Sequence, residues 1–503
     1  MITISKYNEV YLRILCEPCV SMELQNHFSF MVDGYQFMPA YKNKMWDGRL
    51  RLFNINTRMI YSGLYSHVIE FLNASGYDYV DETVIEKNDV SIEEIKTYIT
   101  EIIRPHSNGK PIETRDYQIA AIHHAINEKK CLLVSPTSSG KSLILYSIIR
   151  YLLDNNLIKR ALFIFPSISL VTQMRSDFAD YSTASGWNIH KYCHSVYAGM
   201  DKDDYGKRIV FTTWQSIYKL KPPYYSGTMK EGNRIGGFDA IITDECHGII
   251  GKSLTSIYEN AHNIQYRMGA TGTLQGAKAH KLVIEGLTGK EYNTTTTATL
   301  MKNNHVAQLK IKCLLLNYPA ETRKLFIDID YKSEMDFISI NENRNKFIVK
   351  LSMQMKGNTL LLFTRIKHGD MIQKMLKEAG HKKVYFLHGK ISADIREETR
   401  KLVENSDGAI IVASYGIFST GVSIKKLNNL VLCSPYKSRI KVLQSLGRIL
   451  RLAENKKGCI MFDIADDISH KSNQNHTLKH FQERINYYAE EKFDYKIIDV
   501  TIK

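Results

Sequence analysis

No apolar run in this chain approaches the ~20 residues that a membrane-crossing helix needs. Its opening residues are interrupted by Lys6, Glu9 and Arg13, so the apolar stretch of a secretory leader is missing too. Cysteine is sparse: eight are scattered through 503 residues, and only Cys16 and Cys19 stand close together. With no second cysteine or histidine pair at a suitable distance, a structural zinc site is not expected, and reduced thiols are. Strong compositional bias is lacking as well, since 44% apolar and 24% charged residues are ordinary values that exclude wholesale disorder. Together these absences lead to the expectation of a soluble cytoplasmic protein with no membrane partner.

What the chain does have is length for several domains and an excess of Lys and Arg over Asp and Glu, 67 against 52, for a formal charge of +15. Such a balance favours polyanionic partners, because each phosphate neutralised releases a counterion. Charge alone leaves a generic basic surface equally open.

Hydropathy patterning divides the chain. Residues 1–103 mix alternating stretches (10–14, 50–53) with amphipathic ones (66–74, 92–103), as in a small, separate α+β domain. A Pro- and Gly-bearing linker follows at 104–111. Within 104–290, short apolar stretches at 131–134, 161–165, 208–211, 240–243 and 266–269 alternate with helical ones such as 142–153 and 169–181. That pattern predicts a parallel sheet covered on both faces. A Pro-, Gly- and Tyr-rich interruption at 221–237 reads as a surface insertion. Residues 291–335 form a transition. A second α/β lobe is expected over 336–465, with strands at 359–363, 383–387, 409–413, 430–433 and 459–462. A polar tail, 466–503, turns helical near 478–490 and is expected to pack on that lobe. The fold class is therefore α/β: two tandem lobes with parallel sheets, a small N-terminal α+β domain and a helical tail.

The run Ser135-Pro136-Thr137-Ser138-Ser139-Gly140-Lys141-Ser142 follows an expected strand and opens an expected helix. Backbone N–H groups in that setting cradle phosphates, Lys141 would reach the β- and γ-phosphates, and Ser142 would hold Mg²⁺. Ser135 stands where the usual pattern has glycine. Asp244-Glu245-Cys246-His247 ends another expected strand. Asp244 could hold Mg²⁺ through water and Glu245 could take a proton from attacking water. Two adjacent carboxylates can also be a solvated turn, but the company of a phosphate loop favours catalysis. Arg448 and Arg451, in Gln444-Ser445-Leu446-Gly447-Arg448-Ile449-Leu450-Arg451, are three apart and can share a helix face. Such arginines could stabilise charge on a transferring phosphoryl group, with surface cations beside Arg439 and Lys441 as the alternative. If both runs touch one ATP, the nucleotide sits between two lobes, the arrangement of a motor.

In order, these segments resemble the motifs of a superfamily-two helicase, from about residue 112 to 465. Arg115-Asp116-Tyr117-Gln118 resembles the adenine-reading motif, with Gln118 as base contact. The loop at 135–142 and Asp244–His247 resemble the first and second motifs, and Gly269-Ala270-Thr271-Gly272-Thr273 the third. Leu361-Leu362-Phe363-Thr364-Arg365 resembles the fourth, Phe386-Leu387-His388-Gly389-Lys390 the segment after it, and 413–424 the fifth. Residues 444–451 resemble the sixth, with Leu450 where many members have glycine. Among members, the chain is most similar to recombination helicases that carry an N-terminal extension. The resemblance implies a monomeric, DNA-stimulated ATPase using ATP and Mg²⁺, with Gln444 helping to position water. It implies unwinding or remodelling of forks, junctions and R-loops in recombination, repair and replication restart, on branched or partly single-stranded DNA and on RNA–DNA hybrids. Its place would be the cytoplasm, the host's if the chain is phage-encoded.

Family segments that touch the strand match Ser167, Thr212, Thr213, Gln215, Thr364, Arg365 and Thr420, short polar groups suited to phosphates rather than bases. Each Ser or Thr alone could equally be a turn or cap. Lys42, Lys44, Trp46 and Arg49 interleave cations with an aromatic, a surface for bases or duplex backbone. A buried Trp46 among solvated cations is equally open. Two rival readings remain. One is an RNA helicase, against which His247 and the Gly269–Thr273 motif argue. The other is an ATP-gated binding protein with little turnover, disfavoured by the full hydrolytic set.

Overall fold

The computed structural model describes residues 1–32, 34–200, 203–218, 237–274, 278–420, 424–453, 456 and 458–502. Apart from Gly237, the 221–237 insertion lies outside them. By packing, the chain divides into two units, Met1–Ser135 with Gly140–Thr294, and Pro136–Ser139 with Thr295–Lys503. No helix among the described residues is long and apolar enough to cross a membrane.

The first unit is built on seven parallel strands in the order Cys193–Val196, Ile209–Thr213, Ala161–Phe165, Ala240–Asp244, Tyr266–Thr271, Lys130–Val134 and Glu291–Asn293. Alternate strand residues face opposite ways. Cys131, Leu133, Phe163, Phe165 and Ile242 join the core under helices Asp116–Glu128, Lys141–Asp154 and Ile168–Tyr181. Leu132, Leu162, Ile164 and Ile241 join the opposite core, under Lys252–Glu259 and Lys278–Thr288. Burial on both faces is why these strands read as unbroken apolar runs.

That second core does not stop at the sheet. It continues through Leu64, Val68 and Leu72 into Ile4, Leu12 and Ile14 of an N-terminal four-stranded sheet, ordered Met59–Tyr61, Tyr11–Leu15, Ile2–Lys6 and Tyr79–Asp81. The N-terminal region expected to stand apart thus shares its core with the nucleotide-binding sheet. Polar contacts reinforce the seam. Tyr61 donates from its hydroxyl to Glu259 (2.7 Å), Lys130 pairs with Glu9 (2.9 Å), and His67 meets Glu285 (3.0 Å). Burial pushes the Lys130 ammonium down to about 8 despite the pull of Glu9. Two glycines allow close approach: a Cβ on Gly63 would lie 2.0 Å from the Glu285 carbonyl oxygen, and one on Gly286 would lie 2.8 Å from the Tyr61 side chain.

The second unit repeats the parallel design in the order Val384–Leu387, Ile410–Ser414, Thr359–Phe363, Asn429–Leu432, Gly458–Asp467, Gln308–Asn317 and Tyr495–Thr501. Residues 291–335, read from sequence as a transition, therefore supply strands to both sheets. The tail adds both the helix His476–Glu490 and an edge strand. Two fully buried ion pairs pin helices to the long strand Gly458–Asp467. Arg344 Nε lies 2.7 Å from Asp466, and Arg484 Nε lies 2.8 Å from Asp463. Removing one partner of such a pair would strand a buried charge, which is how they specify this packing.

The seam makes a direct prediction. Gly63→Ala forces a methyl group against the Glu285 carbonyl, and overpacking of this kind costs about 1–3 kcal/mol. Denaturant titration should show that loss, and limited proteolysis should cut faster within residues 1–81. Wild-type stability in the variant would mean that the two regions are not rigidly seated.

Candidate nucleotide site and strand contacts

Register sets the geometry of the phosphate loop. Asp244 lies beside Ala270 and Thr271 beside Val134, so three adjacent strands end together. Ser135 N–H donates to the Thr271 carbonyl (2.8 Å), and the Thr294 hydroxyl donates to Ser135 Oγ (3.1 Å). Ser139 N–H donates to the Pro136 carbonyl (3.1 Å), closing the turn that carries Thr137 and Ser138. Ser138 and Gly140 adopt positive φ, +71° and +86°. At Gly140 a side chain is excluded twice, since a Cβ would also lie 2.2 Å from Gln118 Nε2. Gln118 is buried under the loop, its carboxamide oxygen taking the Arg115 N–H (2.9 Å).

Lys141 opens the following helix, with its Nζ 2.6 Å from Asp244 Oδ1 and 3.1 Å from Glu245 Oε1. Burial would lower the Lys141 pKa, but Asp244 and then Glu245 hold it above the ordinary ammonium value. Burial raises Asp244, outweighing the attraction of Lys141. Glu245 also suffers burial, yet Lys141 and a bond from His247 hold it below the usual carboxylate range. The two carboxylates are thus electrostatically distinct although adjacent. Glu245 itself sits at φ +52°, turning the chain out of its strand. His247 Nδ1 lies 3.3 Å from Glu245 Oε2 and 3.2 Å from Thr271 Oγ1. Because the Thr271 hydroxyl donates to the Thr273 carbonyl (2.9 Å), Nδ1 is the donor to both oxygens. Ser142 Oγ shares a hydrogen bond with the Tyr181 hydroxyl (2.8 Å). Ser142 and Asp244 offer hard oxygen donors beside a helix N-terminus, a set that fits Mg²⁺ held mainly by substrate phosphates.

The expected strand contacts separate into groups. Ser167 Oγ and Thr364 Oγ1 are buried without a hydrogen-bond partner among the described residues. Each follows an inner strand of its own sheet, Ala161–Phe165 and Thr359–Phe363, just before a helix. Thr212 is a correction: its hydroxyl points inward, donating to the Val196 carbonyl (2.7 Å), because it lies within the buried strand Ile209–Thr213. Thr213 bonds Ser216 (2.9 Å), and Gln215 reaches the Pro166 carbonyl (3.4 Å). Arg365 is tied to Asp336 and to the Lys332 carbonyl. The Thr420 side chain is outside the described residues. Lys42, Lys44 and Arg49 are exposed, while half-buried Trp46 donates from Nε1 to the Arg49 carbonyl (2.8 Å).

Gln444 and Arg448 lie half-buried on the helix Arg439–Ile449. Arg451 does not share that helix face, because the helix ends one residue before Leu450. Leu450 is buried, and its carbonyl accepts the Ala307 N–H (2.8 Å), so this departure from the glycine of many relatives is a core residue. Sequence reasoning missed Lys456, whose buried ammonium caps the Ile449 carbonyl. It also missed Tyr181, which nothing in the local pattern marked.

A phosphate loop and an acidic pair on one covered parallel sheet, in a chain with a second sheet of the same design, define a two-lobed ATPase. Residues 2–81 match the family model for the N-terminal part of DNA helicase UvsW. Residues 111–276 match that of the type III restriction enzyme res subunit, and 343–453 that of the helicase conserved C-terminal domain. The ATP-dependent DNA helicase uvsW of Enterobacteria phage T4 is 34% identical over 509 positions, 98% of each chain. The crystal structure of T4 UvsW covers all of both chains at 31% identity and a TM-score of 0.52. A DNA-bound type ISP restriction-modification enzyme, LlaBIII, shares the fold over 88% of this chain and 36% of its own, at 16% identity and a TM-score of 0.58. The chain belongs to the UvsW family of ATP-dependent DNA helicases.

A buried histidine supports the Thr364 position. Ser434 Oγ accepts the Thr364 N–H (3.2 Å) and faces His368 Nδ1 (3.2 Å), while His368 Nε2 donates to Asn345 Oδ1 (3.0 Å). Burial, with Arg344 and Arg365 nearby, pushes His368 down to about 3. The unfolded chain takes up this proton near pH 6.5, the folded chain only near 3, so stability is complete above ~6.5 and falls as pH drops. The slope approaches ~1.4 kcal/mol per pH unit. Denaturant titrations at pH 7.5 and 5.5 should show a loss about 1 kcal/mol larger in wild type than in His368→Gln. Equal losses would remove His368 from the account.

Proposed function

We propose that this chain is an ATP-dependent DNA motor that unwinds or remodels branched DNA, namely forks, junctions and R-loops, in recombination, repair and replication restart. Its substrates extend to RNA–DNA hybrids, and it works as a monomer in the cytoplasm, the host's where the chain is phage-encoded. Membership of the UvsW family over nearly the whole length supports the DNA assignment. The observation that carries the strand track is the pair of partnerless buried hydroxyls, Ser167 Oγ and Thr364 Oγ1, one at the corresponding strand end of each sheet. Buried hydroxyls of this kind are met by water or by a ligand, and their matching places on the two sheets favour a strand that both touch.

In this reading Lys141 exchanges its carboxylate partners for the β- and γ-phosphates, and the loop N–H groups of 136–140 hold the phosphate oxygens. Gln118 braces the loop and borders the base. Ser142 and Asp244 hold Mg²⁺, which when bound draws charge from the phosphate oxygens. Glu245, kept ionised by Lys141 and oriented by His247, accepts the proton of attacking water, with Gln444 as its orienting partner. Arg448 and Arg451 supply positive charge to the transferring phosphoryl group, Arg448 from a capped helix and Arg451 from the turn beyond it. Thr213, Gln215, Arg365 and Thr420 accompany the two hydroxyls along the strand. Residues 1–103, through Lys42, Lys44, Trp46 and Arg49, meet duplex or branch point.

Glu245→Gln should keep ATP and DNA binding while hydrolysis falls ~10²–10⁴-fold; fork unwinding that survives the substitution would refute the role. Ser167→Ala with Thr364→Ala should weaken single-strand binding about five- to thirtyfold, at ~1 kcal/mol per neutral hydrogen bond. Since no cation is removed, the salt slope should stay unchanged, and since neither hydroxyl has a protein partner, the melting temperature should hold. Undiminished affinity would mean that the strand runs elsewhere. Comparing hydrolysis stimulated by single strands, duplex, forks, four-way junctions, RNA and RNA–DNA hybrids separates the DNA motor from an RNA helicase or a slow switch.

A further inference from the structure

Between Val32 and Gly48 the chain leaves a small hairpin, Ser29–Met31 paired with Arg49–Arg51, and returns to it. The Val32 N–H donates to the Gly48 carbonyl (2.9 Å) and closes the neck. Excursions of this length with joined ends are Ω-loops, packed by their own side chains and often functional. This one is braced from within. Tyr35 N–H donates to the Val32 carbonyl (3.0 Å), Phe37 N–H to Gly34 (3.0 Å), Lys42 N–H to Met38 (3.1 Å) and Met45 N–H to Ala40 (2.9 Å). The Tyr35 ring meets Tyr41 edge-on at 4.7 Å. It also lies over Gly48, at φ +80°, where a Cβ would come within 2.6 Å of it. Tyr35 and Tyr41 thus brace the loop.

Two side chains take no part in this bracing. Phe37 is 77% exposed and Met45 80%, and among the large apolar residues described only Met1 exposes more. Lys42 and Lys44 in the same loop and Arg49 just after it are exposed as well, with Lys44 itself at φ +55°. Phe and Met held in water on a braced loop leave apolar surface that a partner covering both would bury at a gain. The loop's exposed carboxylate, Asp47, is already paired with Arg51, which leaves the Lys42 and Lys44 charges to favour an anionic partner. Apolar side chains beside Lys and Arg are the means by which proteins wedge between base steps, with the cations on adjacent phosphates.

We propose that residues 34–48 form a branch-point wedge: Phe37 and Met45 stack against the unpaired end of duplex DNA while Lys42 and Lys44 hold the backbone. The proposal rests on the DNA-motor reading above and gives the N-terminal region its substrate class, a duplex end at a junction.

The test uses the full chain and a fork with 2-aminopurine at the first paired position. Wild-type protein should raise its emission on binding. Phe37→Ala with Met45→Ala should at least halve that rise and slow fork opening about tenfold, whereas Phe37→Leu should restore most of both. Lys42→Ala with Lys44→Ala should instead weaken binding to every DNA and reduce the salt slope by about 2. Both pairs are exposed, so circular dichroism should match wild type. Wild-type emission and opening rates in the Phe37/Met45 variant would overturn the wedge. So would wild-type fork behaviour accompanied by a lower sedimentation coefficient, which would make the patch a contact between copies of the chain. If the wild-type protein itself shows no DNA-stimulated hydrolysis, the motor reading fails first. If it hydrolyses normally and only the variant result fails, the wedge alone falls.

Discussion

Lys141 between Asp244 and Glu245 is the interaction around which the first unit is organised. A largely buried ammonium is costly unless opposite charge meets it, and here two carboxylates do so within 3.1 Å. Both must come from a neighbouring strand end, so the contact constrains register across the sheet: Asp244 beside Ala270, and Thr271 beside Val134. A one-residue slip of the Ala240–Asp244 strand would carry Asp244 away from Lys141 and leave that ammonium short of opposite charge. The fully apolar strands make such a slip expensive, because each alternate side chain already belongs to one of two cores.

The same strand end gathers further connections. Thr271 touches the phosphate loop through its carbonyl and His247 through its hydroxyl, so the loop and the acidic motif share one residue. Its strand is anchored at the other end by buried Arg267, which donates to the carbonyls of Leu287 (2.9 Å), Ala261 (2.9 Å) and Tyr258 (2.8 Å). Burial lowers that guanidinium to about 10 without removing its charge at neutral pH. Leu287 closes the helix that seats Gly63 and Tyr61 of the N-terminal region. Strain at the N-terminal seam therefore has a covalent and hydrogen-bonded route to Thr271, through one helix and one arginine.

How much of this was legible depended on burial. Strands covered on both faces, such as Ala161–Phe165 and Thr359–Phe363, announced themselves as apolar runs and were placed to the residue. Gln308–Asn317 escaped notice because it alternates exposed and buried residues over its first half. The edge strand Tyr495–Thr501 is mostly exposed and has no apolar run to read. The phosphate loop and acidic pair were legible as spacing, but the geometry around them was not. Thr212 turning inward, Arg451 falling beyond its helix, and Tyr181 meeting Ser142 all depend on strand phase, a helix end or a contact made in three dimensions. The shared core of the N-terminal region was hidden for a related reason, since composition shows that a stretch is apolar but not which face covers it.

The division among the strand contacts has a consequence for a motor of the kind proposed. Arg365 reaches the proposed track already paired with Asp336 and a backbone carbonyl, and Thr212 faces the core, so the buried groups without such ties at the inner strand ends are neutral hydroxyls. A neutral hydrogen bond to phosphate is worth ~1 kcal/mol, against ~1.5–3 kcal/mol for a charged one. Several weak contacts along a strand hold it collectively, yet each breaks with a small barrier. A track made of guanidinium pairs would hold harder and resist the repeated release that translocation needs. The exposed cations Lys42, Lys44 and Arg49 stand instead on the N-terminal region, where a duplex could be gripped without being handed along base by base. On this reasoning the fold separates grip from movement: charge is placed where the chain should hold, and neutral groups where it should let go.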